Sequence, residues 1–545
     1  MKQRKASERA QLDGWDTPVE IWKPVRVDSA EVLSAHRSED VQGAVARVLA
    51  RSRSDDTLIR RAAAGLAAVC TDVLRERRGG VNGRRVVLLV GTGNNGADAL
   101  LAGVHLRSRG AAVEALLVGG EAYPQGLSTL GAVHGITVDA RSDEGRTAAL
   151  SALAAAELVV DGIVGDRGSG GLRSPADELV AAIPAGVPVV AVDLPSGVDP
   201  DTGESSGPHV HADVTVTFGS FKPCLFLPPA SHAAGRLEFV DVGLTDELPA
   251  QPLVRRLTRV GVAARWPVPA RTDHKYTRGV LGVIAGSDTY PGAAVLAALG
   301  AVRAGVGIVR YIGPPRVTDH VLMAAPEAVP GFGRVQAWLL GSGVEADPDQ
   351  DEAIGQALDS GLPCVVDAGA LEECVKRRAA GARSVGADGV LMTPHAGELA
   401  RMLDMLGHEV TRGDVETRPM FHALWLAREV EATVLLKGPT TLIANPSGWL
   451  FSQNDGPPWL ATAGSGDVLA GIAGALMASG VGAMDAGAMS ALVHGLAGAR
   501  ASGGGPISAG QIAEATPATV ADLLRLVSEP PSGDRPRRRL SANGR

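Results

Sequence analysis

The stretch Ala461–Gly471, ATAGSGDVLAG, sets Gly464, Ser465 and Gly466 ahead of an acid, Asp467, and of a long apolar run that begins at Val468. Glycines let a backbone turn tightly and come close to a ligand. The free N–H groups and positive dipole end of a following helix favour an anion such as phosphate. An acid in the first helical turn can act as a general base beside the bound group. The same string also fits an ordinary loop-to-helix turn capped by Asp467, so the surrounding chain has to decide between the two.

Upstream, short apolar runs alternate with polar, glycine-rich segments. Residues 279–285, 307–312, 337–340, 363–366, 390–392 and 433–436 read as strands buried on both faces. They lead into GSDTYPG, GSG, DAGA, TPHAGE and KGPTT, with a small-residue helix expected over 293–304. Open α/β sheets bind ligands beyond the carboxyl ends of their strands. Lys437 at such an end suits a phosphate, Gly438 lets a ligand approach, and Thr440 and Thr441 add hydroxyl donors; a lysine in a surface turn is the plainer alternative. His395 can stack on a ring or bond to it, or serve the fold alone. Together with the 461–471 turn, these segments fit nucleotide-dependent phosphoryl transfer. They do not form a Walker A loop, because GxxxxGK[ST] is absent.

The first half repeats the pattern. Residues 29–77 place apolar side chains at helical spacing and read as a helical layer. Strands are expected at 85–90, 112–118, 158–163, 187–192 and 214–218, with a helix at 99–109. Strand, loop and helix in alternation imply a mostly parallel sheet. The loops GTGNNGAD, DGIVGDRGSGG and DLPSGVD all follow strand ends. The first spells GxGxxG, a weak dinucleotide fingerprint here, because Asp98 in the first helical turn would repel a pyrophosphate. Asn94 and Asn95 offer amides, and Asp161, Asp193 and Ser196 offer oxygens. Such loops can hold a hard cation or abstract a proton; as isolated residues, Asp161 and Asp193 also suit capping.

The 545 residues imply two domains or more. Boundaries are expected at 1–20 for a flexible segment, 21–250 and 251–528 for two α/β domains, and 529–545 for a disordered basic tail. The composition has 69 glycines and only 3% aromatic residues, which suits large cores of closely packed sheets and helices. A net charge of −8 without a basic face argues against nucleic-acid binding. Four cysteines without a CxxC pair indicate neither a zinc site nor a disulfide framework, and a reducing cytoplasm fits best. The N-terminus lacks the apolar core of a signal peptide. The uncharged run 468–484 is rich in Gly and Ala and reads as a buried helix of a soluble core, not a membrane span.

As a set, these motifs resemble a known pair. HKYTRGVLGVIAGSDTYPGAAVLAA, LLGSGV, VVDAGAL, LMTPHAGELARML, VLLKGPTTLIA and LATAGSGDVLAGI, in that order, resemble the ADP/ATP-dependent NAD(P)H-hydrate dehydratase family, a branch of the ribokinase-like fold. VGTGNNGADAL, VVDGIVG, AVDLPSGVDPDTGE and TVTFGSFKP resemble the NAD(P)H-hydrate epimerase domain. In this order the halves are similar to bifunctional nicotinamide nucleotide repair enzymes.

The resemblance implies an N-terminal Rossmann-like and a C-terminal ribokinase-like three-layer α/β sandwich. It implies epimerisation of the R and S hydrates of NADH and NADPH by the first domain, and nucleotide-dependent dehydration of the S hydrate by the second. Asp467 would be the base on the hydroxyl, and Gly464, Ser465 and Gly466 would hold the transferring phosphate. Lys437, Gly438, Pro439, Thr440 and Thr441 match the adenine-nucleotide contacts, with magnesium accompanying ADP or ATP. Ala293, Ala294, Gly343 and His395 match hydrate contacts.

In the first domain, Asn94, Asn95, Gly96, Ala97 and Asp98 match one hydrate-binding loop. Gly165, Asp166, Arg167, Gly168, Ser169, Gly170 and Gly171 match another. Asn95, Asp161 and Ser196 match a potassium site, and Asp193 a substrate contact and acid/base. A homo-oligomer is expected. The chain departs from the pattern at Ala97 and Ala99, where the family has glycines, at GDRGSGG, and at Gly369, where it has a carboxylate. A ribokinase-like kinase of a small alcohol is the rival for the second half. For the first half, the rival is a non-catalytic binding or oligomerisation module.

Overall fold

The computed structural model describes residues 30–52, 56–166, 168 and 170–528. The expected flexible segment 1–20, the tail 529–545, Arg167 and Ser169 lie outside the described residues. The chain divides into two compact units that meet in sequence between Leu253 and Val254, three residues beyond the expected boundary, and residues 30–33 belong to the second. The expected helical layer over 29–77 opens instead with strand β1 (Val32–Ala35), at the edge of the second unit's sheet. Helices α1 (Ser38–Arg51) and α2 (Thr57–Arg78) follow.

The sheet of the first unit comprises β2 (Arg85–Val90), β3 (Ala112–Leu117), β4 (Ile136–Asp139), β5 (Leu158–Gly162), β6 (Val189–Val192), β7 (Val214–Phe218) and β8 (Arg236–Val240). All pairings are parallel, in the order β4-β3-β2-β5-β6-β7-β8. Successive side chains of a strand point to opposite faces. Accordingly Val86, Leu88 and Val90 enter one core, with α2, while Val87 and Leu89 enter the other. Helix α3 (Asn94–Ser108) starts five residues before the expected Ala99, so Asn95 and Asp98 are helical and buried rather than in the loop. The order reverses at β2, which opens a crevice between the loops after β2 and β5.

The second unit carries β9 (Val254–Leu257), β10 (Val280–Ile284), β11 (Ile308–Ile312), β12 (Val329–Pro330), β13 (Ala337–Leu340), β14 (Cys364–Val366), β15 (Val390–Met392), β16 (Thr433–Leu436), β17 (Thr441–Ala444) and β18 (Leu450–Gln453). The order is β1-β9-β18-β17-β16-β15-β14-β13-β10-β11-β12. It is parallel from β16 to β12, and β17 lies antiparallel to both its neighbours. The order reverses between β10 and β13.

Helix α4 (Pro291–Ala304) follows β10, and α5 (Ala396–Met405) follows β15. The apolar run 468–484 is not one helix. It divides into α6 (Ser465–Ala478) and the start of α7 (Ala483–Ser502), with Gly480 at φ +90° in the break. Among the described residues no helix is long and apolar enough to cross a membrane. All four cysteines are free and buried.

Helix α6 packs on α4 backbone to backbone. A Cβ at Gly471 would lie 2.3 Å from the Ala297 carbonyl oxygen, and one at Gly300 would lie 2.5 Å from that of Val468. Both obstacles are main chain and cannot swing aside. Gly471→Ala is expected to cost about 1–3 kcal/mol as the helices are forced apart. Denaturant unfolding that resolves the two units should show the loss in the second alone; an unchanged midpoint would contradict this packing.

Candidate active site

In the second unit the loops after β10, β13, β14, β15 and β16 meet the N-terminus of α6. Gly464, at φ +85°, is the residue before the helix and supplies no side-chain cap, so Asp467 is not the cap that its position allowed. The first turn of a helix has N–H groups without an internal acceptor. Ser465 N–H is taken by Thr462 O at 3.3 Å, which leaves Gly466 and Asp467 to face an anion. The Ser465 hydroxyl also turns inward, 3.1 Å from Nε2 of His494 in α7. Burial lowers His494 to about 4, so at neutral pH it is an uncharged partner that fixes Ser465.

Asp367, just after β14, is the buried acid of this site. Its carboxylate accepts from the Ser342 hydroxyl at 3.0 Å, the Thr393 hydroxyl at 2.8 Å and the Lys437 ammonium at 2.8 Å. Lys437 also lies 3.8 Å from Glu398. Burial opposes its charge, but Asp367 and Glu398 more than compensate and hold it above the ordinary lysine value. The ammonium is 3.6 Å from where a Gly466 Cβ would stand, beside the turn.

Asp467 faces the same cluster. Burial pushes it up to about 7, the Asp367 charge adds to the rise, and Lys437 and a hydrogen bond with Ser342 oppose it. Ser342 has one proton to donate. Asp367 and Asp467 therefore compete for it.

Ser342 precedes Gly343 (φ +67°), where a Cβ would come within 2.4 Å of the Ala293 methyl. The first turn of α4, with Ala293 and Ala294, therefore closes on the loop after β13. His395 caps α5 by accepting from Glu398 N–H at 3.1 Å, and it pairs along the backbone with Lys437. Its ring is more than half exposed and available to a ligand. Gly438 and Pro439 are exposed in the turn between β16 and β17, Thr440 is buried beneath it, and Thr441 begins β17. The expected carboxylate at 369 has no room, because a Cβ at Gly369 would lie 2.4 Å from Val344 O. Asp367 supplies the buried carboxylate of this segment.

The first unit gathers a second polar group. Asp193, at φ +69°, lies after β6 and accepts from Thr217 Oγ at 3.1 Å, Phe218 N–H at 3.2 Å and the Lys222 ammonium. Lys222 is fully buried and also donates to the carbonyls of Phe218 at 3.2 Å and Ser220 at 3.1 Å. Asp193, Lys222, Asp98, Asn94, Asn95 and Asp166 line a cavity of about 320 Å³ with apolar walls from α1 and α2. Gln42 of α1 donates to Asp166 at 3.0 Å.

Beside this cavity, Asp161 accepts from Ser196 N–H at 2.8 Å and Ser196 Oγ at 2.6 Å, and burial raises it to about 6. The Val164 carbonyl, 3.2 Å from Ser196 Oγ, completes an oxygen-rich group and accepts from the Asn95 amide N–H at 3.4 Å. Gly96, one residue before Ala97, makes a close backbone approach. A Cβ at Gly96 would meet Gly91 O at 2.3 Å, whereas Ala97 sits buried in α3. Gly168, Gly170 and Gly171 line a separate cavity with Thr92 and Gly119.

Both sites follow from strand ends, and Ser342, Asp367, Thr393 and Lys222 were within reach of that rule. They stand in LLGSGV, VVDAGAL, LMTPHAGE and TVTFGSFKP. His494, inside an apolar helix, carries no such signal.

Two α/β units, each with a carboxylate–lysine centre at the carboxyl edge of its sheet, define a two-site enzyme. Residues 281–511 match the NAD(P)H-hydrate dehydratase family, and residues 55–224 match the YjeF-related protein N-terminus. The bifunctional NAD(P)H-hydrate repair enzyme of Mycobacterium tuberculosis is 44% identical over 451 residues, covering 81% of this chain and 89% of that protein. Its counterpart from Mycobacterium leprae is 42% identical over 465 residues, covering 83% and 91%. A crystal structure of ADP/ATP-dependent NAD(P)H-hydrate dehydratase from Bacillus subtilis, co-crystallised with ATP and magnesium, aligns with 49% of this chain and 97% of its own at 26% identity and a TM-score of 0.44. The chain belongs to the bifunctional NAD(P)H-hydrate repair enzymes, with the epimerase half preceding the dehydratase half.

Asp467 gains its basic form as pH rises through about 7. The kcat/KM of dehydration should therefore climb between about pH 6 and 8 and level off above, since it reports groups of the free enzyme. A profile flat across that window would remove Asp467 as the titrating base.

Proposed function

We propose that the second unit restores NADH and NADPH from their S hydrates with Asp467 as base. The observation that carries this is the meeting of Asp467, Asp367 and Lys437 at the open N-terminus of α6. Hydroxide leaves carbon poorly, and phosphorylation makes it a good leaving group. Asp467 takes the proton from the hydroxyl at C6 of the ring, and the freed oxygen attacks the terminal phosphoryl of ADP or ATP, whose bond to the rest of the nucleotide breaks to release AMP or ADP. The N–H groups of Gly466 and Asp467 and the Lys437 ammonium face the charge that builds on the phosphoryl oxygens. The phosphate then departs with the C6–O electron pair and takes up the proton from C5, and the ring double bond of NAD(P)H forms.

The donor set suits magnesium. Carboxylates outnumber the one ammonium, and among the described residues no cluster of three metal-ligating acids, His or Cys exists. Magnesium is usually held by one or two carboxylates plus substrate phosphates. Asp367 would supply such a carboxylate, leaving Asp467 free as the base, and the ion would offset the phosphate charge. The Gly343–Ala293 contact and the exposed face of His395 form the hydrate side of the site, and residues 437–441 the nucleotide side. A small-alcohol kinase would share the turn but would release a stable phosphorylated product.

In the first unit, Asp193 is the acid/base for interconverting the hydrates, and the loops at 94–98 and 165–171 bind them. Asp161, Ser196, Asn95 and the Val164 carbonyl would hold potassium. This donor set is all oxygen, and a cation there would favour the ionised form of the buried Asp161. The buried, unpaired thiols agree with a reducing cytoplasm.

Asp467→Ala should abolish nucleotide-dependent recovery of reduced-nicotinamide absorbance from the S hydrate, while the R hydrate is still consumed faster than its spontaneous epimerisation. Retained recovery would refute Asp467 as base, and loss of both activities would point to misfolding instead. Asp161→Asn should remove the potassium dependence of epimerisation; a wild-type rate that ignores potassium would refute the cation site.

A further inference from the structure

We propose that the carboxyl group of Asp98 is the proton donor of the epimerase centre, working opposite the Asp193 carboxylate across the cavity they share. The proposal rests on the epimerase reading of the first unit and assigns the half of its acid–base chemistry that Asp193 leaves open. The two acids sit in different surroundings. Asp193 accepts from a hydroxyl, a backbone N–H and a buried ammonium. Asp98 is 6% exposed, lines the same cavity, and its Oδ1 has no hydrogen-bond partner. A buried carboxylate without donors is costly, whereas a neutral carboxyl group is far less so. Burial lifts Asp98 well above the ordinary carboxylate value, the neighbouring Asp193 charge lifts it further, and Lys222 only partly opposes this.

With Asp98 neutral, Asp193 and Lys222 form a balanced pair beside the apolar walls of Val41, Val45 and Leu58, and the other acids of the lining, Asp56 and Asp166, add negative charge that further disfavours ionising Asp98. A neutral carboxyl group facing a carboxylate paired with an ammonium is the arrangement that an acid–base pair needs.

The chemistry balances without a co-reactant. Asp193 takes the proton of the C6 hydroxyl, and that electron pair forms the C6=O bond. The C6–N1 bond breaks with its pair going to N1, and Asp98 gives its proton to N1. The open chain carries an aldehyde that can turn about C5–C6 and present its other face. N1 then attacks C6, its proton returns to Asp98, and Asp193 returns a proton to the oxygen. Each acid ends as it began.

The test uses the full chain with purified R hydrate of NADH and no nucleotide, measuring the rate of conversion to the S form against the spontaneous rate. Asp98→Asn and Asp98→Leu both keep the approximate shape, and the leucine also removes an unpartnered polar group from an apolar wall. Each should lower catalysed epimerisation by about a hundredfold or more, in the range of general acid catalysis. Their melting temperatures and their dehydration of the S hydrate should stay at wild-type values. Wild-type epimerisation by either folded variant overturns the proposal. If the unaltered chain does not outpace the spontaneous reaction, the epimerase reading itself fails and the proposal falls with it. As an independent readout, the infrared carbonyl band of a protonated carboxyl group should be present in neutral buffer and diminish in Asp98→Asn. An unchanged band also overturns the assignment.

Discussion

The seating of α6 against α4 governs the dehydratase half. Where Gly471 meets Ala297 and Gly300 meets Val468, two main chains touch, and neither helix can slide without collision. That contact sets the height at which the first turn of α6 stands above the sheet edge, and with it the position of Asp467 relative to Lys437 and Asp367. The same helix α4 carries Ala293 against Gly343 at its other end. One helix pair thus aligns the first turn of α6 with the loop after β13. The abundance of glycine and alanine and the scarcity of aromatic rings are the compositional trace of such packing, because interiors are close-packed and main chains approach only where side chains are small.

The two units solve one electrostatic problem alike. Each sets a lysine against one carboxylate and holds a second carboxyl group beside the pair: the part-buried Lys437 with Asp367 and Asp467 in one, and the buried Lys222 with Asp193 and Asp98 in the other. Like charges at close quarters do not both ionise readily in a poorly solvated site. Asp367 and Asp193 take the ammonium, while Asp467 and Asp98 are displaced upward. Parallel sheets suit this device, because their strand ends deliver polar residues from several loops to one edge.

Much of this was legible in the sequence. Runs such as RVVLLV at β2 and VTVTF at β7 announce strands buried on both faces, and their limits agree with the structure. Edge strands lack that signature. β4, reading ITVD and largely exposed, and β8, reading RLEFV, show no continuous apolar run. Helix α3 begins earlier than its turn chemistry at Asn94, Asn95 and Gly96 suggests, because the burial of Asn95 and Gly96 against the sheet draws the first turn into the helix. At the sites, position after a strand singled out Lys437 and Asp193 but did not separate Asp367 and Ser342 from other small polar residues. Their roles depend on which loop faces which, and the reversal of strand order between β10 and β13 decides that.

The four cysteines bear on how the protein withstands an oxidising episode. Oxidation and alkylation proceed through the thiolate, so a thiol that is buried and hard to ionise is slow to react. Burial pushes Cys70 and Cys374 up to about 12, and it raises Cys224 and Cys364 as well. Neither catalytic centre contains a sulfur atom among its named groups. A chain that repairs damaged redox cofactors thereby keeps its own chemistry on oxygen and nitrogen, apart from the side chains that peroxides attack first.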